Sequence, residues 1–190
     1  MTTFALTVSG DVNKLTRHLS KTERRYIPTV SVQSVNELAK NARIDAQKKV
    51  ANDMRLPLKI IRKRFDINGN VKGDRVQYYK ATRSKPQALL RVHHRAIPVF
   101  QIAGVQTKRG VKAKGGRLYV SAFKPKSGRR AGFVFKRQGK ARTPLFVPKV
   151  SIRAQIKQEF QKRTTGPLAR NNFRRIFNRR LEKKLNTLRA

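Results

Sequence analysis

The chain has 190 residues, the usual size of one domain, and 38% of them are apolar, enough for a real core. Lys and Arg number 47 against 9 Asp and Glu, a formal charge of +38. Solubility needs far less, so the isolated chain repels itself unless counterions or a polyanion neutralise it. Cysteine is absent, which excludes a disulfide framework and a thiolate metal site.

Met1 to Gly10 lacks the basic and apolar regions of a signal peptide, and no segment nears the roughly 20 apolar residues that span a bilayer. The expectation is synthesis in a cytoplasm-like compartment and no membrane partner. Phe4, Leu6 and Val8 alternate with Ala5 and Thr7, a short strand pattern. Asp11 is placed to cap a helix carrying Val12, Leu15 and Leu19. Pro28 suits a first helical turn, and Val32, Val35, Leu38, Ala39, Ala42, Ala46, Val50 and Met54 follow in steps of three and four. That stripe predicts one helix on the order of 40 Å long, with alanines allowing close packing. Pro57 interrupts it and is expected to start a short helix through Phe65.

The centre reads as strands at Arg75–Thr82, Leu89–His93, Pro98–Ala103, Arg117–Phe123, Gly132–Arg137 and Leu145–Val150. Turn signals separate them at Asn68-Gly69-Asn70, Gly115-Gly116, Ser127-Gly128 and Gly139. Ile152, Ile156 and Phe160 then step by four. Gly166-Pro167 starts a last helix with Phe173, Ile176, Phe177, Leu181, Leu185 and Leu188 on one face and Arg175, Arg179 and Lys183 on much of the other. The expected fold class is α+β: a long N-terminal helix and C-terminal helices packed on a central antiparallel sheet of about five or six short strands. One domain over 1–190 is expected, helical over 1–66, basic and β-rich over 75–150, helical again over 151–190.

Charge is uneven along this order. Residues 1–74 and 159–190 each carry a net +8, whereas residues 75–158 hold 22 Lys or Arg and no acid. Catalysis by paired carboxylates, with or without metal, has little to work with, because Glu37, Asp45 and Asp53 stand eight residues apart, as do Asp66 and Asp74. Salt partners for nearby cations are the simpler role. His93-His94 is the only histidine pair, and neighbours on a strand point to opposite faces, away from a shared ion. The reading is no enzyme, no cofactor and no metal.

Binding chemistry is plentiful instead. Lys108, Arg109, Lys112, Lys114, Arg117, Lys124, Lys126, Arg129, Arg130, Lys136, Arg137, Lys140 and Arg142 lie in small groups among glycines. Loops of that kind let cations follow a phosphate backbone, with no dependence on base identity. Phe123, Phe133 and Phe135 sit at strand positions, where core packing outweighs base stacking. No zinc finger, helix-turn-helix or RNA-recognition signature is evident.

Ile27-Pro28-Thr29-Val30, with Asn36, Ala39 and Ala42 on the helix that follows, resembles the minor tail protein Z family of tailed bacteriophages. So does Arg55-Leu56-Pro57-Leu58-Lys59-Ile60-Ile61-Arg62-Lys63-Arg64. Ala122-Phe123, Gly132-Phe133-Val134-Phe135-Lys136-Arg137 and Gly139-Lys140-Ala141-Arg142-Thr143-Pro144-Leu145 are similar to its basic strand-and-turn block. The likeness runs in order from about Gly10 to Leu188 and rests on order and spacing rather than one motif. It implies a virion protein made in the host bacterial cytoplasm, completing the tail at its head-proximal end. Such a protein would join tail to head and hold the end of the packaged double-stranded DNA. It further implies a homo-oligomeric ring of six-fold symmetry, other neck and tail proteins as partners, and no catalytic residues. Composition alone also fits a ribosomal or ribosome-associated RNA-binding protein, and the charge could instead meet acidic protein partners in a purely structural assembly.

Overall fold

The computed structural model describes residues 1–7, 19–20, 24–65, 70–128, 131–139 and 143–189. Its elements are β1 (Thr2–Thr7), α1 (Ile27–Asp53), α2 (Leu58–Arg62), β2 (Lys63–Phe65), β3 (Val71–Asp74), β4 (Val76–Tyr79), β5 (Gln87–Val92) and β6 (Ile97–Pro98). A 3-10 turn (Val99–Gln101), β7 (Ala103–Thr107), β8 (Gly110–Ala113), β9 (Leu118–Val120) and β10 (Ala122–Phe123) follow. The chain ends with β11 (Phe135–Arg137), β12 (Leu145–Phe146), β13 (Lys149–Val150), α3 (Arg153–Thr164) and α4 (Pro167–Arg189). The α+β class holds, with the long N-terminal helix and the C-terminal helices in place. The strands are shared among five small antiparallel sheets, ordered β1-β5-β4, β2-β3, β6-β13, β7-β8-β9 and β10-β11-β12. The expected helix after Asp11 lies outside the described residues.

Two compact units are formed, one from Met1–Ala46, Val76–Val92 and Lys157–Ala190, the other from Gln47–Arg75 and His93–Ile156. In the first, β5 is the central strand, with Phe4 opposite Leu90, Leu6 opposite Ala88, and Val76 opposite Val92. These residues are buried on one face, as period-2 alternation requires. Of the predicted stripe, Val35, Leu38, Ala39, Ala42, Ala46 and Val50 of α1 are buried, whereas Val32 is half-buried and Met54, also half-buried, lies just past the helix end. Phe4 stacks on Phe160 of α3 at 5.7 Å. Leu19, Val30, Phe177 and Leu181 form a buried cluster on which Ile27, Phe173 and Leu185 pack. Truncating a wholly buried ring such as Phe177 to alanine costs about 3–5 kcal/mol.

Asn36 ties α1 to the β4–β5 connection. Its Nδ2 donates to the Ala81 carbonyl at 3.0 Å, and its Oδ1 accepts from the Ala81 N–H at 2.8 Å and the Tyr78 hydroxyl at 2.8 Å. Glu37, one residue on, accepts from Arg180 Nε at 2.7 Å and pairs with Arg179, both on α4. Desolvation raises the Glu37 pKa, but the two guanidiniums outweigh it and hold the carboxyl below its ordinary value.

The second unit begins at the end of α1. Leu56 N–H donates to Ala51 O at 2.8 Å and Arg55 N–H to Asn52 O at 3.0 Å, the 6→1 and 5→2 bonds of a Schellman cap. Arg55 takes the left-handed position at φ 51°, where glycine is usual. The short helix foreseen through Phe65 stops at Arg62. Lys63–Phe65 pairs with Val71–Asp74 as a hairpin instead, and Lys63 Nζ reaches Asp74 at 2.9 Å. Pairing partners six to eleven residues away decided that segment, not local periodicity. Pro98–Ala103, read as a strand, is largely the 3-10 turn, which buries Val99 and Ile102 together at a spacing of three.

Arg75 is only 2% exposed, and its Nη1 donates to the carbonyls of Arg95 at 2.9 Å and His93 at 3.2 Å. Desolvation, with repulsion from Arg64, pushes its pKa down to about 10. Through Nη1 this buried cation is a local staple for the chain at 93–95, although its Nε has no hydrogen-bond partner.

Candidate nucleic-acid interface

The nine anticipated basic residues that the structure describes lie in the second unit, on and between β7 and β11. The β7–β8 turn presents Lys108 and Arg109, both exposed. Gln106 fixes that turn: its Nε2 donates to Thr107 O at 3.0 Å and Gly110 O at 3.2 Å, while its Oε1 accepts from Lys124 N–H at 2.9 Å. Gly110 is required there, because a Cβ would lie 2.1 Å from the Tyr119 carbonyl oxygen.

Lys112 is exposed on β8, and Lys114 and Arg117 flank the Gly115-Gly116 turn, which is the hairpin the sequence indicated. Gly115 sits against the Arg55 carbonyl, where a Cβ would meet the oxygen at 1.9 Å. Arg117 lies over the Tyr119 ring at 5.6 Å. Burial pushes the Tyr119 phenol up in pKa, against a smaller opposite pull from Arg117.

Lys124 is half-buried and turns its Nζ toward Gly104 O at 3.4 Å, whereas Lys126 is exposed. Lys136, opposite Ala122 in the β10–β11 pair, is half-buried. The exposed Arg137 covers Phe123 at 5.7 Å. Phe123, Phe133 and Phe135 pack on one another and on Phe100, with centroid distances of 4.6 to 6.2 Å. That is the packing role given to the three rings. Of the thirteen cations, Arg129, Arg130, Lys140 and Arg142 lie outside the described residues. Seven of the other nine are exposed.

Sequence reasoning passed over a second basic feature, in the first unit. A cleft of about 290 Å³ is lined by Tyr26, Thr29, Gln33, Arg180, Lys183 and Lys184, among others. Lys184 stands over the Tyr26 ring at 5.3 Å, and Arg180 Nη1 donates to Gln33 Oε1 at 3.2 Å. Its signal was the recurrence of cations at three- and four-residue steps on α4, which reads as an ordinary solvated face. Among the described residues, no group of three or more His, Asp or Glu could hold a metal ion, and no helix is long and apolar enough to cross a membrane.

The model of the family described as prophage minor tail protein Z (GPZ) matches residues 11–189. The chain belongs to that family. Among curated proteins, the tail completion protein of Escherichia phage N15 is 26% identical over 157 residues, which cover 76% of this chain and 78% of that protein. No solved structure matches. As a minor tail protein Z, the chain is a structural component of a phage tail and a virion protein, and its partners include other tail proteins. Membership displaces the ribosomal reading. It accords with the scattered carboxylates, since this is a structural family.

Proposed function

We propose that this minor tail protein Z completes the tail at its head-proximal end, joins tail to head, and contacts the end of the packaged DNA without sequence preference. The observation that carries the reading is the set of exposed cations Lys108, Arg109, Lys112, Lys114, Arg117, Lys126 and Arg137, borne by a stretch of 84 residues without one acid. Their mounting on short turns and, for Lys112 and Arg137, on short strands suits phosphate contact, which positions a protein on a duplex and reads no sequence. Arg129, Arg130, Lys140 and Arg142 belong to the same proposed surface by their place in the chain, and Lys124 and Lys136 are its half-buried margin.

A closed homo-oligomer, six-fold like a tail, would gather these cations around a lumen and relieve the self-repulsion of +38 charges by placing DNA among them. The test is native mass spectrometry of nuclease-treated protein in low and high salt, followed by titration with unrelated duplexes. The expected result is a closed oligomer that survives high salt. Duplex affinity should be indifferent to sequence and fall about a thousandfold or more between 50 and 200 mM salt. A monomer that prefers structured RNA would overturn the reading.

A further inference from the structure

Three exposed large apolar side chains share one sheet: Val105 at 69%, Val120 at 57% and Leu118 at 38%. Their register puts them together. Val105 is opposite Lys112, which is opposite Leu118, and Val120 is opposite Gly110 on the same side. Directly paired residues share a face, and so do residues two apart on a strand, so Val105, Lys112, Leu118 and Val120 form the outer face of β7–β9. On the other face, Val111 and Ala113 of the central strand are buried. The outer face therefore carries apolar side chains on β7 and β9, with Lys112 and the bare Gly110 of β8 between them. Lys108 and Arg109 lie at one end of the sheet, and Lys114 and Arg117 at the other.

A phosphate backbone gains nothing from two exposed valines and a leucine, whereas a protein surface gains by covering them. Charge decides which protein. A second copy of this face would set five cations against five, and any other face of a second copy belongs to a chain of +38 whose acid-bearing stretches, 1–74 and 159–190, each still carry a net +8. The complementary surface is apolar at its centre and rimmed by Asp and Glu, over about 10 Å across the strands and about 13 Å along them.

We propose that the outer face of β7–β9 is a protein-docking surface whose occupant is an acidic protein with an apolar centre, different from this chain. The cations around it then divide, with Lys112 and the nearer atoms of the two turns serving the protein joint. The inference rests on membership in a tail protein family and not on DNA contact, so the two fail separately.

The test places a photoreactive phenylalanine analogue at position 105 or 120 of the full chain in cells assembling the particle. Position 71 is the control, since Val71 is 54% exposed on another sheet. The expected result is an adduct at 105 and 120, at least fivefold above position 71, to a different protein through a peptide rich in Asp and Glu. Adducts to DNA or to a second copy, or none above the control, would overturn it. The double variant Val105→Ser/Val120→Ser, probed through the analogue at 118, should lower that adduct at least tenfold and leave duplex affinity within twofold. If duplex affinity falls with the adduct, the face is a DNA contact and the inference is wrong. Failure of the DNA reading appears instead as weak, salt-independent duplex binding by the unaltered protein.

Discussion

The Asn36 side chain meets both main-chain groups of Ala81, giving its amide hydrogen to the carbonyl and its oxygen to the N–H, 45 residues along the chain. An amide does for this stretch what a neighbouring strand would do, and Tyr78 completes the set through the same oxygen. Asn36→Ala leaves a buried N–H and C=O unpaired, and each costs about 1–3 kcal/mol. The expected loss on denaturant unfolding is about 2–6 kcal/mol. Asn36→Asp keeps the acceptor but turns an oxygen toward the Ala81 carbonyl, and should recover only part of it.

Glu37 gives the first unit an acid-sensitive joint. Its carboxyl, held below the ordinary value of 4.5 by Arg180 and Arg179, binds fewer protons folded than unfolded. Its contribution is therefore complete above the unfolded pKa and is lost as pH falls through the folded one. Unfolding midpoints at pH 6 and at pH 3.5 should differ more in the parent than in Glu37→Gln, whose amide does not titrate there. Equal pH dependence in the two would show that the joint contributes nothing.

The end of α1 offers a gain in stability. Arg55 holds a left-handed cap position at φ 51°, a conformation glycine reaches without a Cβ penalty. Arg55→Gly should raise the thermal midpoint, by about 0.5–1 kcal/mol in free energy. A drop would mean that the arginine side chain matters more than its backbone strain.

Long-period patterns were legible, and short pairings were not. The α1 stripe from Val35 to Val50 and the α4 face with Phe173, Phe177 and Leu181 emerged because they repeat over many turns. Pro28 and Gly166-Pro167 marked where the helices begin. By contrast, β2, β3, β7 and β8 are three to five residues long, and their identity depends on a partner strand that periodicity cannot name. Lys63–Phe65 carries the same residue types as the helix before it. The site divides in the same way. The cations of the β7–β9 turns followed from composition, but the inward turn of Lys124 toward Gly104 and the outward row of Val105, Leu118 and Val120 needed the register. The cleft beside Tyr26 needed α1 and α4 side by side.

The β7–β9 sheet should not tolerate side chains at its two close approaches. Gly110→Ala and Gly115→Ala each drive a Cβ into a carbonyl oxygen, at 2.1 and 1.9 Å, and the obstacle is backbone that cannot rotate aside. Each change should cost about 3 kcal/mol or more, since strain and lost pairing add. Gly116→Ala meets nothing within 4 Å and bears only its positive φ of 87°, so it should cost about 1 kcal/mol. Thermal unfolding of the three variants side by side checks the order.

The proposed DNA contact has a quantitative signature. Each phosphate neutralised by a cation contributes about 0.9 to the slope of log affinity against log salt. Lys108→Gln/Arg109→Gln removes two exposed cations from a turn whose frame is set by Gln106 and Gly110, so the fold should be untouched. The slope should become shallower by about 1.8 if both engage phosphate. Lys40→Gln/Lys48→Gln removes the same charge from exposed positions of α1 and controls for net charge alone. A change of slope shared equally by both pairs would mean that DNA senses the diffuse field of the protein. A change confined to the first pair would assign the β7–β8 turn as a phosphate contact.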